Sequence, residues 1–146
     1  MRAREGLADC LWNLGQREEA IRHYREMLRL NPNGNQGIRY RLLFCLLEIG
    51  DTLAGEMLLK EYEEEGTATW LYTRALVTCV REGDSPAARH VPQGALEQNR
   101  QVVPYLAGRR RLHRQLPEYV GIGDRDEAIG YVAEFGELWT RTPGAL

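Results

Sequence analysis

Apolar residues recur along the chain at the three-to-four-residue spacing of amphipathic helices, and glycines separate these helical stretches. Gly15, Gly50 and Gly83 each follow one such stretch and precede another, at intervals of 35 and 33 residues. Glycine is favoured where a helix ends because the residue after the last turn commonly adopts a left-handed conformation. The pattern therefore predicts pairs of helices that repeat about every 34 residues.

The first of these units has a regular arrangement of small and large residues. Ala20, on the second helix, allows the two helices to approach closely, and Tyr24 fills the space one turn later. The full set of landmarks is Leu7, Ala8, Leu11, Ala20, Tyr24 and Pro32. This set resembles the tetratricopeptide repeat, a pair of helices that closes with a proline. Arg4 stands where that family usually has a tryptophan.

The resemblance and the glycine period predict an all-α fold. We expect tetratricopeptide-type helical hairpins stacked as a short right-handed solenoid, followed by an irregular C-terminal helical segment. Repeat 1 is assigned to residues 1–34, repeat 2 to 35–67 and repeat 3 to 68–101. Residues 102–146 make up the C-terminal segment with a last helix, and all of these parts are assigned to one domain.

The later repeats are less regular than the first. In the second repeat either Ala54 or Gly55 can provide the small contact between the helices, so its register is open by one residue. In the third repeat Pro92 is a helix breaker, because it lacks a backbone N–H and clashes with the preceding turn at a cost of about 3 kcal/mol. We therefore expect the second helix of that repeat to be kinked or split between Ala88 and Gly94.

The C-terminal segment contains a helix start and a narrower resemblance. Asp124 followed three residues later by Glu127 is the pattern of a capped helix. The expected apolar face of this helix comprises Ala128, Val132, Phe135 and Leu138. Residues 103–106 and 116–124, together with Trp139, resemble the C-terminal part of a bacterial tetratricopeptide family, which is similar there to the eukaryotic suppression-of-tumorigenicity proteins. The resemblance implies the fold and brings no assigned activity.

Composition and charge narrow the classes of partner. The 146 residues are 43% hydrophobic and carry a formal net charge of -2, which gives no overall attraction for nucleic acid or an anionic membrane. No apolar run approaches the roughly 18 residues that span a bilayer, and no signal-peptide core follows the N-terminus. We therefore predict a cytoplasmic protein with no membrane partner, and nucleic acid is disfavoured as a ligand.

The two ends of the chain lead to a further expectation. Stacked repeats need polar capping units at their ends, and neither end of this sequence has an evident one. We expect the chain to be part of a longer protein. We also expect apolar surface to be exposed at one or both ends of the solenoid, where self-association with a second copy can cover it.

The cysteines follow the spacing of the repeat. Cys10, Cys45 and Cys79 lie 35 and 34 residues apart, which is the period of the repeat itself. We therefore expect them to occupy one core position on successive first helices. The sequence has no Cys-x-x-Cys pair and no Gly-x-Ser-x-Gly nucleophile motif. We predict no metal site, no cofactor, no catalytic residue and hence no enzymatic activity.

Two kinds of binding function remain open. In the first, the protein is an interaction scaffold that holds a peptide or helix in a concave groove lined by the first helices of the hairpins. In the alternative, it binds RNA or an acidic partner through a basic run at residues 109–114, which begins with Arg109 and ends with Arg114. A salt titration separates the two functions, because phosphate contacts weaken steeply as the salt concentration rises.

Helical phase gives the residues of the predicted groove. They are Glu5, Asp9 and Trp12 on the first hairpin, Tyr40, Phe44 and Leu47 on the second, and Thr73, Val77 and Arg81 on the third. The acidic end favours a basic residue of the partner over a terminal carboxylate, and the aromatic residues favour an apolar centre. Tyr40 and Phe44 can instead pack inside the repeat stack, because the register of the second repeat is open.

Overall fold

The computed structural model describes residues 2–33, 36–82, 93–108 and 124–142, and within these ranges it contains helices and no strand. The helices are α1 (Arg2–Asn13), α2 (Arg17–Leu30), α3 (Gln36–Glu48), α4 (Thr52–Glu61), α5 (Ala68–Glu82), α6 (Gln93–Gln98), α7 (Val102–Leu106) and α8 (Arg125–Arg141). The all-α prediction is confirmed. The chain forms two compact units, Met1–Gly55 and Glu56–Leu146. The assignment of the repeats to one domain stays a prediction.

The ends of α1 and α3 have the same hydrogen-bonded cap. Gly15 and Gly50 both have φ of 85°. The Gln16 N–H donates to the Leu11 carbonyl at 2.9 Å, and the Gly15 N–H donates to the Trp12 carbonyl at 3.0 Å. This pair of bonds is the Schellman motif, which requires a left-handed residue. The equivalent pair at Gly50 occurs 35 residues later, so the predicted helix ends are confirmed at both glycines.

Replacing Gly15 with alanine is expected to lower the free energy of unfolding by roughly 1 kcal/mol, because a Cβ is strained in the left-handed conformation. No atom lies within 4 Å of the position that this Cβ would take, so the loss comes from the backbone alone. Gly6→Ala is the matched control, since its Cβ also meets open space but lies within α1. That variant should gain about 0.5 kcal/mol. Urea denaturation checks both values, and equal effects would contradict the cap.

Unit 1 is built by packing α2 against both α1 and α3. The sequence landmarks Ala8, Ala20 and Tyr24 are fully buried in it. Gly55 is buried as well, and a Cβ at that residue would lie 2.9 Å from Leu47 Cδ2. Gly55 therefore provides the close contact of the second repeat, 35 residues after Ala20, and this settles the register that the sequence left open.

Unit 2 is organised around the packing of α8 against α5 and α7. The rings of Tyr131 and Phe135 stack at 5.1 Å, and the Tyr72 ring lies 5.9 Å from Tyr131. The buried Tyr131 hydroxyl accepts a hydrogen bond from Trp139 Nε1 at 2.9 Å and lies 3.1 Å from Thr73 Oγ1. The predicted apolar face of α8, comprising Ala128, Val132, Phe135 and Leu138, is buried and thus confirmed.

The start of α8 is capped as the sequence predicts. Asp124 accepts a hydrogen bond from the Glu127 N–H at 2.8 Å. The Glu127 carboxylate, however, is buried and bonds elsewhere in unit 2. It accepts from the Ala68 N–H at 3.1 Å, at the beginning of α5, and from Asn99 Nδ2 at 3.1 Å. Glu127 therefore links the N-terminal ends of two helices that are far apart in the sequence.

The cysteine prediction is wrong at one position. Cys45 and Cys79 are buried, but Cys10 is exposed on α1. Cys10 and Cys45 both lie five residues before the glycine that ends their helix, and their burial differs because burial also depends on whether another helix covers that position. Three predicted features, Gly83, the break at Pro92 and the basic run at residues 109–114, lie outside the described residues.

Candidate functional site

Six of the predicted groove residues lie half-buried on the first helices of unit 1. They are Glu5, Asp9 and Trp12 on α1, and Tyr40, Phe44 and Leu47 on α3. On each helix they are spaced by four and then three residues, so they share one side of that helix. We refer to these six residues as the α1–α3 face. Their partial exposure leaves part of each side chain accessible to a ligand.

An aromatic pair joins the two helices on this face. The Trp12 and Phe44 rings meet edge to face, with centroids 6.3 Å apart and an interplanar angle of 64°. Such a pair stabilises by about 0.5–1.5 kcal/mol beyond the area that it buries. Two guanidinium groups lie against the rings. Arg17 Cζ is 4.9 Å from the Trp12 centroid, and Arg41 Cζ is 6.0 Å from the Phe44 centroid.

Asp9 is held in place by a residue of the second helix. The hydroxyl of the buried Tyr24 donates a hydrogen bond to Asp9 Oδ1. Burial, together with this hydrogen bond, raises the pKa of Tyr24 above its ordinary value, so the phenol remains a protonated donor at neutral pH. Arg41 Nε lies 3.6 Å from the same oxygen. Tyr24 thus holds the Asp9 carboxylate in position, and the guanidinium group of Arg41 lies beside it.

The carboxylate of Asp9 still reaches solvent, because its side chain is 41% exposed while that of Arg41 is 33% exposed. At this partial exposure an ion pair contributes at most about 1 kcal/mol. A positively charged group of a ligand can therefore compete with Arg41 for the carboxylate at modest cost. The face combines an apolar centre with an acidic group that is already aligned.

The three predicted residues of the third hairpin are placed differently. Thr73 and Val77 are buried in unit 2, at 0% and 3% exposure. The Thr73 hydroxyl contacts Tyr131 of α8, so this side of α5 packs against a helix of the same chain. Arg81 is exposed and forms ion pairs with Glu56 and Glu82. Of these three residues only Arg81 offers surface to a partner.

Three contributors to the face were not among the predicted residues: Arg17, Arg41 and Tyr24. Arg17 reaches Trp12 because the glycine turn brings the start of α2 back beside the end of α1. Tyr24 was predicted only as a space-filling residue between the helices. An acidic residue at position 9 facing a large phenol on the paired helix was the signal that could have identified it as a positioning residue.

The hairpin formed by α1 and α2 is similar to a known family. Residues 2–33 match the family model of the tetratricopeptide repeat. The match spans α1, the Gly15 turn and α2, and it ends just after Pro32. No curated protein and no solved structure matched the chain. The repeat match and the all-helical structure together support a helical-repeat protein of the tetratricopeptide type. Such repeats typically act as protein–protein interaction scaffolds.

The described residues offer neither a metal site nor a membrane-spanning helix. Among them, no group of three or more His, Cys, Asp or Glu side chains is arranged to hold a metal ion. None of the helices in the described ranges is long and apolar enough to cross a membrane.

Proposed function

We propose that the protein is an interaction scaffold that binds a peptide or helix of a partner protein on the α1–α3 face. The observation that carries this proposal is the half-buried Trp12–Phe44 pair, flanked by Arg17 and Arg41. Tryptophan and arginine dominate the residues on which binding energy concentrates in protein interfaces. The aromatic edges can bury an apolar side chain of the partner without a large rearrangement of either helix.

A comparison within the chain supports a helix as the partner. Thr73 follows Glu5 by 68 residues, the sum of the two glycine intervals, and occupies the equivalent position on α5. That position packs against α8, a 17-residue amphipathic helix of the same chain. The corresponding side of a first helix is thus compatible with a docked helix. On α1 the same positions carry carboxylates, and we expect them to select a different partner.

The chemistry of the face suggests which partner fits. Trp12 and Phe44 favour one or two apolar side chains at the centre. Asp9, aligned by Tyr24, and Glu5 one turn before it favour a lysine or arginine at one end. A terminal carboxylate at that end would meet both acidic groups. We therefore propose a peptide or helix with an apolar centre and a positive end.

Two single variants test the proposal. Phe44→Ala should fold and lose about tenfold in partner binding, because it removes half of the aromatic pair. Asp9→Lys should lose a similar amount, because it reverses the charge that faces the basic end. The wild-type chain and each variant are immobilised, bound proteins from the native cytoplasm are quantified by mass spectrometry, and the affinity of the enriched protein is then measured. Circular dichroism checks the folding of each variant.

Glu61→Lys is the matched control, because it makes the same change of charge at an exposed residue at the end of α4. It should bind as the wild type does. If Phe44→Ala unfolds the protein, Phe44 is a core residue and the proposed centre of the face is wrong. If both variants fold and bind normally, the partner binds elsewhere.

The same assay distinguishes binding to the α1–α3 face from the alternative function. In that alternative, residues 109–114 bind RNA or an acidic partner. Binding to the α1–α3 face should weaken only moderately between about 50 and 200 mM salt, whereas contacts to several phosphates weaken by orders of magnitude. Retained binding in Asp9→Lys together with steep salt dependence would favour the basic run. The cytoplasmic location and the resemblance of the C-terminal segment to the bacterial family remain predictions.

A further inference from the structure

A line of exposed apolar side chains runs along α1 on a side that the α1–α3 face does not use. Ala3, Leu7, Cys10 and Leu14 are all exposed, with Leu7 at 49% and Leu14 at 74%. They are spaced by four, three and four residues, so they form one stripe along the helix. Leu14 continues the stripe past the end of α1, since its N–H bonds the Cys10 carbonyl at 2.9 Å. We call these four residues the α1 stripe.

The repeat itself indicates what such a stripe is for. The residues 35 positions later are Ile38, Leu42, Cys45 and Ile49. The first three are buried at 4%, 3% and 0% exposure, whereas Ile49, at the end of the row, is 40% exposed. In unit 1 α2 packs against α3, the helix that carries these residues. The stripe on the first helix of a repeat is therefore a surface on which another helix packs. On α1 the same positions are exposed to solvent.

The stripe is complementary to itself when two copies are placed antiparallel. Its residues alternate between small and large along the helix: Ala3, Leu7, Cys10, Leu14. Antiparallel pairing sets Ala3 opposite Leu14 of the second copy and Leu7 opposite Cys10 of the second copy. Every large side chain then meets a small one, as close helix packing requires. A contact of this kind, in which the same surface is used twice, is the rule for twofold dimers.

The edges of the stripe favour the same arrangement. Gly6 and Asn13 flank it on one side and carry no charge. No atom lies within 4 Å of the position that a Cβ on Gly6 would take, so a second helix can approach closely there. On the other edge Arg4 is hydrogen-bonded to His23 of α2. In this register the two Arg4 residues are offset by nine residues, or about 13 Å along the axis, so their side chains do not face each other.

We infer that a second copy of this chain covers the α1 stripe, with the two α1 helices packed antiparallel about a twofold axis. One 12-residue helix from each copy makes a small interface. Interfaces below roughly 1,200 Å² belong to weak and transient complexes, so the dimer forms reversibly as the protein concentration rises. Glu5, Asp9 and Trp12 lie on a different side of α1, so the dimer leaves the α1–α3 face open. The inference does not rest on the proposed function.

Sedimentation velocity over a hundredfold range of concentration tests the inference. The wild-type chain should shift from monomer to dimer, and Leu7→Glu should remain a monomer at every concentration. Leu7 is half-exposed, so this variant should keep the circular dichroism spectrum of the wild type. Leu30→Glu is the matched control, because Leu30 is 56% exposed but lies at the end of α2, away from the stripe. It should dimerise as the wild type does.

Cys10 supplies an independent measurement of the pairing. In the antiparallel arrangement the two Cys10 residues are offset by about 4.5 Å along the axis and separated by about 8–10 Å between the helices. A bismaleimide of similar span should therefore link two wild-type copies, and the link should disappear in Cys10→Ser. Cys45 and Cys79 are buried and should not react in the folded protein.

Several outcomes would overturn the inference. A wild-type chain that stays monomeric up to the highest concentration has no such dimer. A dimer that persists in Leu7→Glu, or that is lost equally in Leu30→Glu, uses another surface. If the wild type is monomeric and Leu7→Glu loses a partner captured from the cytoplasm, a helix of another protein covers the stripe in place of a second copy.

Discussion

Replacing Glu127 with alanine is expected to lower the free energy of unfolding of unit 2 by about 3 kcal/mol. Glu127 is buried, with 7% of the residue exposed, and its carboxylate accepts hydrogen bonds from three donors. These are the Ala68 N–H at 3.1 Å, Gln98 Nε2 at 3.2 Å and Asn99 Nδ2 at 3.1 Å. The substitution leaves buried donors without their acceptor, and this is more costly than the loss of a solvent-exposed bond.

Two helix starts depend on this one side chain, which increases the expected effect. Ala68 is the first residue of α5, and its N–H has no partner within the helix. A carboxylate at that position also interacts favourably with the positive end of the helix dipole. Asn99, held by Glu127, further donates to the Asp124 carbonyl at 2.7 Å, next to the start of α8. Losing Glu127 should therefore loosen both α5 and α8 at their N-terminal ends.

Urea denaturation, monitored by near-ultraviolet circular dichroism, measures the effect. The signal reports on unit 2 because Trp70 and Trp139 are buried there. Glu127→Gln keeps one acceptor oxygen and should lose about half as much as Glu127→Ala. Glu137→Ala, at an exposed residue of the same helix, should lie within about 0.5 kcal/mol of the wild type. A Glu127→Ala variant as stable as Glu137→Ala would mean that the three hydrogen bonds contribute nothing to stability.

Glu127 also illustrates the limit of what the sequence predicts about the fold. Its distance of three residues from Asp124 predicts that its side chain folds back onto the start of its own helix. The Asp124 half of that prediction is confirmed by the 2.8 Å bond to the Glu127 N–H. The carboxylate instead bonds Ala68, 59 residues away. Local spacing identifies the cap, but it contains no information about which distant helix start needs an acceptor.

Where neighbouring residues decide the structure, the sequence was sufficient. The Gly15 and Gly50 ends depend on the conformational preference of one residue and on bonds to carbonyls within the preceding turns. The close helix contact at Ala20 and Gly55 depends on side-chain size at one repeat position. These are short-range features, and each recurs in the second repeat. Recurrence made the glycine ends recognisable without a structure, whereas the choice between Ala54 and Gly55 needed the structure.

The candidate site could be predicted only in part from the sequence. Helical phase groups Glu5, Asp9 and Trp12 on one side of α1, and it groups Thr73 and Val77 on the equivalent side of α5. Phase alone does not determine whether that side is covered. On α1 and α3 it is half-exposed, whereas on α5 Thr73 packs against α8. The same limitation explains why Cys10 is exposed although its repeat equivalent, Cys45, is buried.

The largest effect on function is expected from Trp12→Ala, which should weaken binding of the captured partner by about 2 kcal/mol, or about 30-fold. Trp12 has the largest side chain of the α1–α3 face, and it contacts Phe44 on one helix and Arg17 on another. Its removal takes away apolar contact area for the partner and also releases Phe44 and Arg17 from their positions. Truncation of an aromatic residue at the centre of an interface commonly has this magnitude.

A double-mutant cycle with Phe44→Ala distinguishes a binding role from a purely structural one. If the edge-to-face pair acts as one binding element, Trp12→Ala and Phe44→Ala should be non-additive in the free energy of binding by at least about 0.5 kcal/mol. Trp12→Phe, which retains an aromatic edge, should recover part of the lost affinity. The stability of each variant is measured in parallel by urea denaturation, where the pair should contribute about 0.5–1.5 kcal/mol. If the Trp12 variants lose stability by this amount and still bind the partner with wild-type affinity, the pair only joins α1 to α3. The partner would then have to bind another surface of the chain.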